Sequence, residues 1–304
     1  MRALIRGWDS DLAYSFRTSP MAIIAGIVAL VIILAAVLAP WIAPHDPFNP
    51  RTLNLMEGFT PPMQPNAFTG NTFLMGTDDQ GRDVFSTILY GARISLFVGF
   101  ASVIFAMVVG ISAGLVAGYR GGWVDGLLMR VADVQLTFPS ILLALLIFGI
   151  ARGFIPPAYR ETMAIWVLIV AIGLSDWVQY ARVVRGATMV EKNKEYVQAA
   201  RMIGAHPARI LLRHILPNVM GPVLVIATIG LALAIIAEAT LSFLGVGVPA
   251  TQPSLGTLIR IGQGFLFSGE WWILAFPAAA LLALALSVNL LGDWLRDALN
   301  PRLR

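Results

Sequence analysis

The sequence predicts an all-α membrane protein with six transmembrane helices and both termini on the cytoplasmic side. Three observations predict it. The 304 residues are 58% hydrophobic and 12% charged, whereas a soluble domain carries roughly 25% charged residues. The apolar residues fall in long uncharged blocks, close to the ~20 residues that a spanning helix needs. The lysines and arginines cluster in alternate connections, as the positive-inside rule requires.

The blocks follow in order. Met21 to Ala39 is uncharged and closes on Pro40 and Trp41, an interfacial aromatic. Its uncharged run exceeds the roughly 7–15 residues of a signal-peptide core, and Pro40 makes a poor cleavage junction, so it reads as a retained anchor. Ile94 to Tyr119 is the second block, Val134 to Ala151 the third and Thr162 to Ala181 the fourth, with Asp176 near its end. The fifth begins at about Pro217 and contains Glu238; the sixth runs from Trp271 to Gly292. Ala239 to Ile259 is also uncharged, but Gly245, Gly247, Pro249, Pro253 and Gly256 argue against a continuous helix. It reads as a loop folded back on the protein, where irregular backbone is satisfied.

The N-tail, the 119–133 loop, the 182–216 loop and the C-tail hold fifteen of the 21 lysines and arginines, which places them in the cytoplasm. The expected organisation is a tail and first helix over 1–43 and an external segment over 44–90. A core of helices two to six follows over 91–293, with a cytoplasmic loop at 182–217 inside it, and a C-tail over 294–304. The same asymmetry accounts for the net charge of +4 without a nucleic-acid partner. With no cysteine, a disulfide framework, a thiolate metal site and a cysteine nucleophile are excluded. His45, His206 and His214 are too scattered for a metal site.

The cytoplasmic loop is the informative soluble stretch. Tyr196, Ala199, Ala200 and Ile203 recur at i, i+3, i+4 and i+7, one face of a short helix. Gly204 suits the position that ends it and Pro207 the first turn of the next, which carries Arg209 and Arg213 and ends near Pro217. The residues alone leave two readings open: a helix lying on lipid headgroups, or one docked in a protein groove. A lipid-bound face offers bulky side chains; this one offers two alanines and a tyrosine, which suits the groove.

This loop resembles the "EAA" motif of bacterial ABC importer permeases, E-A-A-x₃-G-x₉-I-x-L-P. Gln198, Ala199, Ala200, Gly204, Leu216 and Pro217 align with it; Gln198 replaces the acid and His214 the isoleucine. Glu195 to Ala200 reads EYVQAA, as in the peptide-permease branch. Gly76-Thr77-Asp78 with Gly81 to Ser86 resembles that branch's external GTD…GRDVFSR segment, with Thr87 in place of the arginine, and Tyr90 to Leu96 continues it. Glu238 to Gly247 resembles its fifth-helix signature. Asn289 to Asp293, Arg296-Asp297 and Pro301-Arg302 resemble its C-terminal pattern.

The resemblance implies the "C"-type member of a dipeptide, oligopeptide or nickel permease pair, with the type I ABC importer permease fold. It implies a homologous second permease subunit, two cytoplasmic ATP-binding subunits and an extracytoplasmic substrate-binding protein, in a bacterial inner membrane. Glu195, Tyr196, Gln198, Ala199, Ala200, Ile203, Gly204, Ala205, His206 and Pro207 would form the ATPase contact. No cofactor is expected in this chain; ATP and Mg belong to the partner ATPases. Di- or oligopeptides are the expected cargo, with nickel or another small solute as the alternative.

The remaining polar features are weighed against plain structural roles. Glu238, an acid inside a span, is either a functional carboxylate or a structural hydrogen-bonding group, the latter preferred. Asp176 reads as an ion-pair or snorkelling residue beside Arg182 and Arg185. Gly110, Gly114 and Gly118, preceded by Ala106, form a small-residue face for close helix packing. Gly110 to Gly114 matches G-x-S-x-G formally, but no span contains a histidine to serve as base. Gly76 to Asp83 misses the P-loop because Arg82 and Asp83 replace the Lys and Ser/Thr. An ion-driven secondary transporter would carry more polar residues in mid-span and broken, repeated helices. An intramembrane enzyme would need the catalytic histidines or cysteines that the spans lack.

Overall fold

The computed structural model describes residues 11–49 and 53–298, with side chains from Tyr14 onward. The N-tail to residue 10 and the Pro301-Arg302 end of the C-terminal pattern lie outside the described residues. The main helices are α1 (Asp11–Thr18), α2 (Pro20–Val37), α3 (Val84–Arg120), α4 (Gly122–Leu136) and α5 (Ser140–Phe154). They continue as α6 (Arg160–Glu191), α7 (Glu195–Met202), α8 (Pro207–Phe243), α9 (Leu255–Gln263) and α10 (Trp272–Ala298). Five of them, α2, α3, α6, α8 and α10, are long and apolar enough to cross a membrane, and α4 with α5 makes a sixth if the bent pair is one span.

Local chemistry sets the ends. Ser19 caps α2, accepting from the Ala22 amide at 3.4 Å, and Pro20 pre-forms its first turn. Asp83 caps α3 through the Ser86 amide at 2.9 Å, so that helix starts ten residues before the expected Ile94. It ends at Gly121, where φ is +66°. The expected third span, Val134 to Ala151, is not one helix: α4 and α5 meet at 99°. Pro139 lacks the amide that would continue the ladder and pushes Phe138 out of helical geometry.

The fourth block runs past Ala181 to Glu191, putting Arg182 and Arg185 on the helix rather than in a loop. The helix after Pro207 does not end near Pro217 either. It passes through a π-helical stretch, Ile210–Ile215, and continues as the fifth span. The wider turn falls directly before Pro217, which has no amide to offer the Arg213 carbonyl. At about 1.5 Å per residue, α3 and α8 are each ~55 Å long and must project beyond a ~30 Å hydrocarbon layer.

The most extensive helix pairing is α3 with α6. A Cβ added at Gly110, Gly114 or Gly118 would lie within 2.7 Å of the Trp177, Ala181 and Arg185 carbonyl oxygens, respectively. The stripe of glycines is therefore where α6 lies backbone-close on α3. One buried core joins α2, α3, α8, α9 and α10; a second joins α3, α5, α6 and α8; a third gathers the ends of α3, α6, α7 and α8.

Residues 53–83 form a hydrogen-bonded cap on the start of α3. Thr77 Oγ1 donates to the Glu57 carbonyl at 2.5 Å, and Asp78 pairs with Arg82 at 2.6 Å, both buried. Trp272 Nε1 of α10 donates to the Thr77 carbonyl at 3.1 Å. Gly76 and Gly81 both take positive φ against backbone that would lie within 2.6 Å of a Cβ. The glycines of the P-loop near miss are thus occupied with closing this cap.

Candidate functional site

The predicted loop is a rigid corner between two long helices. Its short helix α7 ends in a Schellman arrangement: the Ala205 amide donates to the Ala200 carbonyl and the Gly204 amide to the Arg201 carbonyl, both at 3.0 Å, with Gly204 at φ +78°. His206 then caps the next helix, its Nδ1 accepting from the Ala208 amide at 3.3 Å, with Pro207 in the first turn.

Side chains brace the corner. The Tyr196 hydroxyl donates to the Glu191 carboxylate, which also takes Lys194 Nζ at 2.5 Å. Asn218 Nδ2 donates to the Tyr196 oxygen at 3.2 Å and to the His214 carbonyl at 2.7 Å. Partial burial, reinforced by the Glu191 bond, pushes the Tyr196 phenol up to about 12, so it remains a donor at physiological pH. Gln198 Nε2 donates to the Asn193 carbonyl at 3.0 Å. Lys192 Nζ reaches the Gly118 carbonyl at 2.7 Å, tying the end of α6 to the end of α3. Arg201 lies over the Tyr119 ring, 4.9 Å from its centre.

The expected single face of α7 is divided. Val197 and Ala200 point inward and pack with Ile210, Ile215 and Val219. Tyr196, Ala199 and Ile203 point outward, with Ile203 85% exposed. Met202, which the i, i+3, i+4, i+7 pattern does not include, is 88% exposed beside it. The corner thus presents an apolar knob of Ala199, Met202 and Ile203 on an otherwise polar surface, with Glu195, Gln198 and His206 also exposed around it.

Glu238 lies elsewhere, wholly buried in α8. Its two oxygens accept from Ser95 Oγ of α3 and Ser242 Oγ, each at 2.7 Å. Those hydroxyls in turn accept from the Leu255 and Val248 amides at 3.3 Å. The carboxylate is the hub that fixes the turn after α8, and the N-terminus of α9, against α3. At Gly256 a Cβ would sit 2.4 Å from the Ala239 oxygen, so α9 meets α8 backbone to backbone.

Asp176 is not paired with the arginines near it in sequence. Arg182 bonds Asp133 at 2.6 Å and Arg185 bonds Asp125 at 2.5 Å, both on α4. Asp176 instead lines a small cavity between α3, α6 and α8, with Ser102, Gln179 and Tyr180.

The family comparisons agree with this arrangement. Residues 110–304 match the model described as the binding-protein-dependent transport system inner membrane component. Residues 8–62 match the N-terminal transmembrane domain of oligopeptide transport permease C. The dipeptide transport system permease protein DppC of Haemophilus influenzae is 37% identical, over 96% of this chain and 94% of that protein. The oligopeptide transport system permease protein OppC of Bacillus subtilis is 37% identical, over 97% of this chain and 90% of that one. The di/tripeptide transport system permease protein DppC of Pseudomonas aeruginosa is 38% identical, over 90% and 86%. Among solved structures, a chain of the inward-facing MetNI methionine ABC transporter shares the fold. It matches with a TM-score of 0.53 at 20% identity, covering 70% of this chain and 96% of that one. The chain therefore belongs to the family of inner membrane components of binding-protein-dependent transport systems, as an ABC importer permease subunit.

Proposed function

We propose that this subunit forms half of the translocation pathway of an importer of di- or oligopeptides. It would work with a homologous second permease, two cytoplasmic ATPases and an extracytoplasmic binding protein. The relatives that align along nearly the whole chain carry peptide-transport names. The lysine and arginine asymmetry supports a cytoplasmic position for both termini and for α7.

The observation that carries the coupling role is the exposed knob on a braced corner. Ala199, Met202 and Ile203 are available to an ATPase groove, while Val197 and Ala200 are locked onto the start of α8. A push on the knob is then delivered to α8 as a rigid-body displacement. ATP binding in the partner supplies the bias between two arrangements of the spans. ATP and Mg act only on the partner subunits in this scheme.

Met202→Glu with Ile203→Glu tests it. A tagged wild-type chain is expected to co-purify with both ATPases and the second permease. The double variant should retain the permease and lose the ATPases. Unchanged ATPase recovery together with unchanged peptide uptake would refute the assignment.

A further inference from the structure

A second concave site lies away from the coupling corner. A cavity of about 220 Å³ opens between the end of α5, the start of α6 and the turn after α8. Arg152, Arg160 and Arg260 line it, against one carboxylate, Glu161. Arg160 Nε donates to the Ile155 carbonyl at 3.2 Å. No ion pair joins any of the three arginines, or Glu161, to another group among the described residues. Arg82, Arg182 and Arg185, by contrast, are each matched to an aspartate.

This concentration of positive charge is unexpected where it stands. The proposed topology puts this end of the bundle outside, where lysine and arginine are depleted. Only six of the 21 fall on that side, and three of those six line one cavity. The first turn of α6 adds to the field, because Tyr159 provides no side-chain cap for its amides. Three guanidinium groups face a single carboxylate there, which leaves an excess of positive charge, and a bound anion would offset it.

We propose that the cavity is a carboxylate site that receives the C-terminal carboxylate of the incoming peptide, an assignment that rests on the peptide-import reading. Guanidinium forks match a carboxylate in two-point geometry. The volume suits one terminal residue rather than a protein surface. Gly245 in its wall leaves room for a peptide backbone: a Cβ there would meet only Arg260 Nη1, at 3.9 Å. The wall is pre-set: the Val248 amide bonds Ser242 Oγ, which bonds Glu238.

The test uses the complete importer in proteoliposomes, with its binding protein, and compares uptake of one peptide with that of its C-terminal amide. The binding protein is the same throughout, so its own preference cancels when each variant is divided by wild type. Arg152→Gln with Arg260→Gln should slow the free acid about tenfold, the loss expected for charge-assisted hydrogen bonds. The amide should change less than about twofold on the same reasoning. The corresponding lysine double variant should recover part of the free-acid rate. An equal fall for both peptides would overturn the proposal and point to docking of an acidic face of the binding protein. No fall for either would overturn it too.

If the glutamine variant fails to assemble, the wild-type importer still decides. Rising ionic strength should slow the free acid more than the amide, after correction for binding-protein affinity. Equal slowing would refute the site. Uptake of neither peptide by wild type would sink the peptide reading and this site together, whereas uptake with an unchanged ratio sinks the site alone.

Discussion

Gly204→Val isolates one physical term at the coupling corner. A Cβ at Gly204 would meet nothing within 4 Å, so the substitution adds no steric clash with neighbours. What it penalises is φ, which stands at +78°. A left-handed conformation costs an L-residue roughly 1–2 kcal/mol, and β-branching makes it worse. That lowers the population of the native turn by about 5- to 30-fold relative to its competitors. The turn holds the two Schellman bonds at 3.0 Å, so losing it lets the knob of Met202 and Ile203 move without carrying the start of α8. The expected result is ATP hydrolysis without matching peptide uptake, measured together in proteoliposomes, with the complex still intact on size-exclusion chromatography. Gly204→Asn is the control, because asparagine tolerates the left-handed region; it should retain most coupling. Normal uptake per ATP in the valine variant, or equal loss in the asparagine variant, would refute the argument from backbone conformation.

Three further outcomes are expected. Glu238→Ala strands the Ser95 and Ser242 hydroxyls in a buried cavity and should cost roughly 2–4 kcal/mol of stability. Glu238→Gln keeps the volume and an acceptor, so it should preserve uptake and lower the Tm of the purified complex far less; loss of uptake at normal Tm would show that the charge itself acts. Gly114→Val would drive a side chain into the Ala181 carbonyl, 2.5 Å from the new Cβ. Its cost should exceed the usual ~1–3 kcal/mol of overpacking and reduce the recovered complex, while Gly186→Ala, with nothing within 4 Å, should be neutral. In the cap formed by residues 53–83, burial and then the neighbouring Asp78 raise Asp79 above the usual carboxylate range, with Arg82 opposing. A carboxyl whose folded pKa is raised binds more protons folded than unfolded, so stability falls as pH rises through that window. Asp79→Asn should therefore raise Tm at neutral pH and not at acid pH; a gain independent of pH would contradict this.

The spans were legible because block length and the absence of charge are direct consequences of a hydrocarbon solvent. Helix ends were less so, and for identifiable reasons. Hydropathy carried the third block straight through Pro139, although the backbone there turns by 99°. Nearness in sequence matches Asp176 to Arg182 and Arg185. Once α6 runs unbroken to Glu191, those residues sit about 240° and 180° around the helix from it, and they reach α4 instead. The inward face of α7 is not legible from periodicity, because that helix is apolar on two sides. Tyr196, Ala199 and Ile203 form one stripe and Val197 with Ala200 another. Periodicity finds a stripe but does not say which of two meets the protein's own core. The end of the helix, by contrast, was readable from Gly204 and Pro207, because only a few residues fit those backbone positions.

The run of α8 past Pro217 changes what the coupling surface can reach. Had the helix stopped there, a displacement of α7 would have been absorbed by a flexible joint. Instead Ile210, Ile215, Val219 and Val223 of α8 are buried in the same core as Val197 and Ala200. Farther along, Gly230 lies so close to α6 that a Cβ would come within 2.5 Å of the Tyr180 hydroxyl. The far end carries Glu238, which holds the turn that forms one wall of the arginine-lined cavity. A single helix thus joins the corner where ATPase force would enter to the wall where the proposed site would hold the peptide carboxylate. On the proposed function, the two sites cannot move independently. A substitution that loosens the Glu238 hub should weaken the free-acid preference of uptake before it affects ATPase binding at the other end, and the reverse order would show that α8 does not connect them.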